Sequence, residues 1–71
     1  MNDPFDDMQQ LRKWIHDLNN RVGVILATSE LLQLEQLSPK AMTRTRTIEQ
    51  NSLEVRDILR NVADLYLTDS R

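Results

Sequence analysis

The sequence predicts an all-α protein, an antiparallel two-helix hairpin that dimerises into a four-helix bundle. Three observations point to this fold class. Helix-breaking residues are scarce, with one glycine and two prolines in 71 residues, and the prolines introduce two long, uninterrupted segments. Within each segment apolar residues recur at alternating intervals of three and four, the period of helices that pack along a seam. The chain also has no cysteine, so disulfides cannot supplement its small core.

Each predicted helix begins with a capping residue followed by proline. Asp3 and Pro4 open the first helix, because an aspartate side chain accepts hydrogen bonds from the free N–H groups of a first turn and proline fits the first helical position. Ser38 and Pro39 open the second helix in the same way. The expected bounds are about 4–35 for the first helix, about 36–38 for the turn and about 39–67 for the second helix, within a single domain at 1–71.

Two apolar seams follow from the spacing. The first consists of Met8, Leu11, Ile15, Leu18, Val22, Ile25, Ser29 and Leu32, and the second of Ala41, Thr45, Ile48, Ser52, Val55, Leu59, Val62 and Tyr66. The further apolar residues that flank these seams are Trp14, Leu31, Ile58 and Leu65. The combined stripes are wider than a two-stranded coiled coil needs and are typical of a four-helix bundle.

A short turn makes the two helices antiparallel neighbours, and one hairpin alone leaves much of each wide stripe in water. Pairing two hairpins buries these stripes, so we expect a homodimer with a crossing angle of roughly +20°. The alternatives are a monomeric hairpin and a fragment of a larger helical protein.

Composition excludes several classes of function. Nine basic and eleven acidic residues give a net charge of −2 with no dominant basic stripe, so nucleic acid is not an expected partner. One histidine and no cysteine disfavour a metal site. The acidic start lacks the order of a signal peptide, and no apolar run approaches the roughly 20 residues of a membrane span. A Lys-rich polar face for binding at a membrane surface is also lacking. We therefore expect a cytoplasmic protein without a membrane partner.

The single histidine lies in the stretch "RKWIHDLNNRVGVI". His16 follows the seam residue Ile15 and should face partly outward, with Asn20 one turn further along the same flank. Asp17 is adjacent, and its short side chain is expected to reach towards the imidazole. A neutral imidazole is a nucleophile, and a carboxylate on one ring nitrogen leaves the other free to attack phosphorus. A solvated surface histidine without a reactive role is the simpler alternative.

The segment "HDLNNRVGVILATSELL" resembles the phosphoacceptor helix of sensor histidine kinases. More specifically, it resembles their dimerisation and histidine phosphotransfer domain, whose motif is His–Glu/Asp–x–x–Thr/Asn followed by Pro–Leu. That domain is itself a two-helix hairpin that dimerises. The resemblance implies that His16 is the phosphoacceptor, that Asp17 is its acid/base partner, and that Asn20 positions water for dephosphorylation of a partner's phospho-aspartate.

Two positions depart from the family motif, since Arg21 and Val22 replace Pro–Leu. The proline commonly bends the helix below the histidine, so this bend is in question here. Gly23 offers similar pliability at a cost of about 1 kcal/mol of helix propensity, and close packing between helices is the other explanation for it. On the second helix, Arg56 or Arg60 has two interpretations: electrostatic support for a phosphoryl group, or a solvated, ion-paired face.

The resemblance also implies partners that supply what this sequence lacks. One glycine cannot form a phosphate-cradling loop, so the chain is expected to bind no cofactor itself and to have no kinase activity alone. ATP with Mg²⁺ would act through an ATP-binding histidine kinase domain, in cis or in trans. The phosphoryl group would pass to the receiver domain of a response regulator. Both a segment of a longer kinase and a free-standing phosphotransfer protein remain open. The competing hypothesis is a structural hairpin for dimerisation or kinase inhibition, without phosphotransfer.

Overall fold

The structure is a computed structural model that describes residues 4–67. This part of the chain contains two α-helices. Helix α1 spans Pro4–Leu32 and helix α2 spans Pro39–Tyr66, and no strand occurs in that range. The helices pack against each other across a short turn, so the predicted all-α hairpin is confirmed. The capping role expected for Asp3 falls outside the described residues.

Helix α2 begins at the predicted cap. The Oγ of Ser38 accepts a hydrogen bond from the backbone N–H of Ala41 at 3.0 Å. Ser38 has extended backbone angles, and Pro39 occupies the first turn. An N–H in the first turn has no intrahelical acceptor, so proline, which lacks one, loses no hydrogen bond there. A cap of this kind stabilises a helix by about 1 kcal/mol.

Helix α1 ends at Leu32, before the expected bound of about residue 35. The chain then tightens: the N–H of Leu34 donates to the carbonyl of Leu31 at 3.1 Å, and the N–H of Glu35 donates to the carbonyl of Leu32 at 3.0 Å. These bonds across three residues satisfy carbonyls at the helix end that have no partner in an α-helical ladder. They also turn the chain towards Ser38.

The apolar core is a single row along the contact between the helices. Its buried residues are Ile15, Val22, Leu26 and Leu59. Ile15, Val22 and Leu59 belong to the predicted seams, whereas Leu26 does not. Leu26 follows the buried Val22 by four residues and precedes the buried Ser29 by three, so all three side chains lie on the same face of α1.

Small polar side chains fill the rest of this contact. Ser29, Thr45 and Ser52 are buried, and all three are seam positions. Each hydroxyl donates to a carbonyl of its own helix, at distances of 2.7–2.8 Å. Among the described residues no buried side-chain nitrogen or oxygen lacks a hydrogen-bond partner. These side chains therefore permit close helix packing without a desolvation penalty.

The alternate seam positions are only partly covered. Leu18, Ile25, Ile48 and Val55 remain 40–48% exposed. The flanking residues Trp14, Leu31, Ile58 and Leu65 are more exposed still. The hairpin measures 52 × 22 × 17 Å, the dimensions of two helices side by side. Each helix therefore has one neighbour, which covers only part of its apolar stripe.

Candidate functional site

His16 is exposed on α1, immediately after the buried Ile15. The Nδ2 of Asn20 lies 3.3 Å from the imidazole Nε2, and both side chains are exposed. The four-residue spacing brings the two groups together because it corresponds to about one helical turn. His16 and Asn20 therefore lie on the same exposed flank of α1, as the sequence predicts.

Asp17 is half-buried and forms no hydrogen bond with His16 among the described residues, contrary to the expected contact. Consecutive residues are rotated by about 100° around a helix, and the short aspartate side chain does not offset that rotation. Instead, Asp17 lines an open concavity on α1.

That concavity has polar and apolar walls. Asn20 lines it together with Asp17 and Arg21, and Val24 and Ile25 supply its apolar part. Asp17 and Asn20 therefore border a surface that combines a carboxylate, a guanidinium group and an amide with exposed aliphatic groups. The lining residues are spaced i, i+3, i+4, i+7 and i+8, so the concavity lies on one face of α1.

The arginines of α2 have no hydrogen bond or ion pair with His16 in the described part of the chain. The Nη1 of Arg60 lies 3.5 Å from Oδ1 of Asp57, and both side chains are exposed. An exposed pair at this distance contributes less than about 1 kcal/mol. This arrangement fits the interpretation of a solvated, ion-paired face for Arg60.

Gly23 lies in the middle of α1 with a negative φ, and a Cβ placed on it would meet nothing within 4 Å. Close packing between α1 and α2 therefore does not explain this glycine. The α-helix runs without interruption through Arg21 and Gly23. Pliability, the other sequence-based explanation for Gly23, is compatible with these observations.

An apolar groove runs between the helices. Val22, Ile25, Ile48 and Val55 supply its aliphatic surface, and its polar lining consists of Thr47, Asn51 and Ser52. Three of the four aliphatic residues are the half-exposed seam positions. The groove is thus one part of the predicted stripe that a single hairpin leaves uncovered.

Neither a metal cluster nor a membrane span is found in the described range. Residues 6–67 contain no group of three or more His, Asp or Glu side chains arranged to hold a metal ion. Neither α1 nor α2 has the length and apolarity to cross a bilayer.

Comparison with family models, with curated proteins and with solved structures gives no match to this chain.

Proposed function

We propose that this protein is a phosphoacceptor and dimerisation module of two-component signalling in the cytoplasm. His16 accepts a phosphoryl group from ATP and Mg²⁺ held by a separate histidine kinase domain, in cis or in trans. It then passes this group to the receiver domain of a response regulator, or the module assists dephosphorylation of that regulator.

The observation that carries the proposal is the exposed imidazole of His16 with the amide of Asn20 3.3 Å from its Nε2. Transfer between two proteins requires a nucleophile that both partners can reach, and a side chain on the outer flank of α1 meets that requirement. A neutral imidazole has one unprotonated ring nitrogen, whose lone pair can attack phosphorus. In the proposed roles, Asp17 is the acid/base partner and Asn20 positions the water that hydrolyses phospho-aspartate.

The apolar groove supports a homodimeric four-helix bundle. Ile25, Ile48 and Val55 are 48, 45 and 40% exposed, and they line one continuous groove along both helices. A second copy presents the same stripe, so pairing the two grooves covers apolar surface on both protomers at once. Burial of apolar surface is the main favourable contribution to such association.

The positions of the groove and the histidine allow dimerisation and phosphotransfer together. Nine residues separate His16 from Ile25, and at about 100° per residue these side chains lie on opposite sides of α1. A partner hairpin on the groove therefore leaves His16 open to a kinase domain and to a receiver domain. The aliphatic surface beside the motif, at Val24, is exposed and accessible to such a partner.

Phosphorylation of the full chain tests the proposal. We expect incubation with a histidine kinase domain, Mg²⁺ and phosphate-labelled ATP to give an acid-labile label on the wild-type chain. His16→Ala should abolish this label because the chain has one histidine, and Asn19→Ala, an exposed neighbour, should retain it. A label that persists in His16→Ala contradicts the proposal.

Asn20 is tested by separating two activities. Asn20→Ala should leave phosphorylation of His16 largely intact, because the acceptor nitrogen remains. It should weaken hydrolysis of phospho-aspartate on the receiver, because the water loses the group that orients it. Equal loss of both activities argues against the role of Asn20 in hydrolysis.

A structural hairpin, which dimerises or inhibits a kinase without phosphotransfer, is the second candidate. The observation in its favour is that no carboxylate forms a hydrogen bond with His16 among the described residues. This alternative requires that His16 is never modified and that His16→Gln leaves every activity of the chain unchanged.

A further inference from the structure

Whether the contact between Asn20 and His16 is a hydrogen bond depends on which ring nitrogen carries the imidazole proton. The amide nitrogen of Asn20 is the atom that faces the ring, 3.3 Å from Nε2. An amide NH₂ group donates hydrogen bonds and does not accept them. The contact is therefore a hydrogen bond when Nε2 has a free lone pair, and in a neutral imidazole this places the ring proton on Nδ1.

We propose that Asn20 is a positioning residue that holds neutral His16 in the tautomer with the proton on Nδ1. The catalytic consequence of this proposal rests on the proposed phosphoacceptor function, whereas the tautomer itself is a property of the chain alone. No other side chain forms a hydrogen bond with the ring within residues 6–67. Asp17, which the motif would place on the ring, is not bonded to it.

This tautomer prepares Nε2 for attack. The Nε2 lone pair forms the bond to the γ-phosphorus of ATP, the bond from that phosphorus to the bridging oxygen breaks, and ADP leaves with the electron pair. No proton has to leave Nε2 beforehand. The ring becomes positively charged and later loses its Nδ1 proton, to water or to the carboxylate of Asp17. The Asn20 amide withdraws from the lone pair as the phosphoryl donor arrives.

The exposure of the pair makes this withdrawal compatible with catalysis. Both side chains face solvent, and the 3.3 Å distance is at the long end for a hydrogen bond. The amide therefore favours one tautomer in the resting state. Because the contact is exposed and long, breaking it adds less to the barrier for phosphoryl transfer than breaking a buried hydrogen bond would. Asn20 thus biases the ring before phosphoryl transfer. Because an exposed imidazole also exchanges its proton with water, loss of this bias should slow phosphorylation only slightly and should affect the proposed hydrolysis of phospho-aspartate more.

Nitrogen NMR of the uniformly ¹⁵N-labelled full chain tests the tautomer directly. Long-range correlations between ring protons and ring nitrogens distinguish a protonated from an unprotonated nitrogen, and the single histidine makes the assignment unambiguous. In mildly alkaline buffer, where imidazole is neutral, we expect Nδ1 of the wild type to be protonated and Nε2 to be unprotonated.

Three variants give the comparison. Asn20→Ala should shift the ring towards the tautomer with the proton on Nε2, and Asn20→Asp should shift it further, because a carboxylate accepts from Nε2–H. Asn19→Ala, which removes an exposed amide one position earlier on α1, should leave the wild-type spectrum unchanged. Helicity measured by circular dichroism should be equal in all four proteins, because these residues are exposed.

Two results overturn the inference: protonated Nε2 in the neutral wild type, or identical tautomers in wild type and Asn20→Ala. The measurement uses no kinase domain and no phosphoryl donor. Failure of His16 to accept phosphate would overturn the proposed function and leave the tautomer result standing, and the converse also holds.

Discussion

The side-chain amide of Gln33 lies 3.0 Å from Oε1 of Glu49 and joins the end of α1 to α2. Both side chains are half-buried, and the same amide also lies 3.4 Å from the carbonyl oxygen of Ser29. The bond crosses the hairpin near the turn, where the packed residues are small and polar rather than large and apolar. It therefore fixes how α1 and α2 are aligned in a region with little apolar packing.

Glu49→Ala should lower the free energy of unfolding by about 1 kcal/mol, because it removes a partly buried acceptor from an amide donor. Glu49→Gln keeps an acceptor and should cost less. Urea unfolding at a fixed protein concentration measures both changes. Glu54→Ala is the matched control: Glu54 accepts from Gln50 within α2 on an exposed face, so its loss should cost a few tenths of a kcal/mol. Equal effects at Glu49 and Glu54 would show that the link between the helices adds no stability.

The elements of the fold could be predicted because they depend on local chemistry. Ser38 and Pro39 determine the start of α2 through capping and a fixed φ angle, and both act within one turn. The end of α1 was predicted less well. No glycine or proline marks it, and hydrogen bonds after Leu32, rather than a residue type, end the helix.

Which seam residues are buried could not be predicted from spacing alone. Ile15 and Val22 are buried, whereas Leu18 and Ile25 from the same seam are almost half exposed. Spacing specifies a stripe on a helix, but burial depends on how many neighbours cover it. The hairpin provides one neighbour.

The candidate site could be predicted only where it depends on local helix geometry. His16 and Asn20 meet because a four-residue spacing is a local property of a helix. The expected approach of Asp17 to the ring did not follow, since adjacent residues diverge around the axis. The open space beside Gly23 could not be predicted from the sequence, because it depends on how the two helices pack.

Leu26→Ala should destabilise the hairpin severely. Leu26 is buried in the contact with α2, and removing a buried leucine costs about 2–5 kcal/mol. A core of this size supplies roughly 3–5 kcal/mol in total, so we expect most of the helical circular dichroism signal to be lost at room temperature. Leu34→Ala, at a residue that is 83% exposed, should change stability by less than about 0.5 kcal/mol. Comparable losses in the two variants would contradict a core that includes Leu26.

Gly23→Ala should raise the free energy of unfolding by about 1 kcal/mol. Alanine has the higher helix propensity, the backbone φ at this position suits it, and its Cβ has open space within the hairpin. Thermal unfolding at fixed concentration measures the gain. Ala27→Gly, four residues along the same helix and exposed, should cause a loss of similar size. If Gly23→Ala destabilises the protein while Ala27→Gly behaves as expected, something outside the hairpin, such as a second copy, packs against the bare backbone.

Ile25→Glu should convert the proposed homodimer to a monomer. The carboxylate would lie in the groove beside Ile48 and Val55, where pairing with a second hairpin would remove it from water without a compensating partner. Light scattering across a concentration series measures the mass, and circular dichroism reports whether the helices persist. Leu34→Glu, at an exposed position that does not line the groove, should leave the mass unchanged. A wild-type mass of one chain at every concentration would contradict the bundle, and equal masses for wild type and Ile25→Glu would place the dimer contact elsewhere. The groove accounts for dimerisation only if the mass falls in the groove variant and not in the matched one.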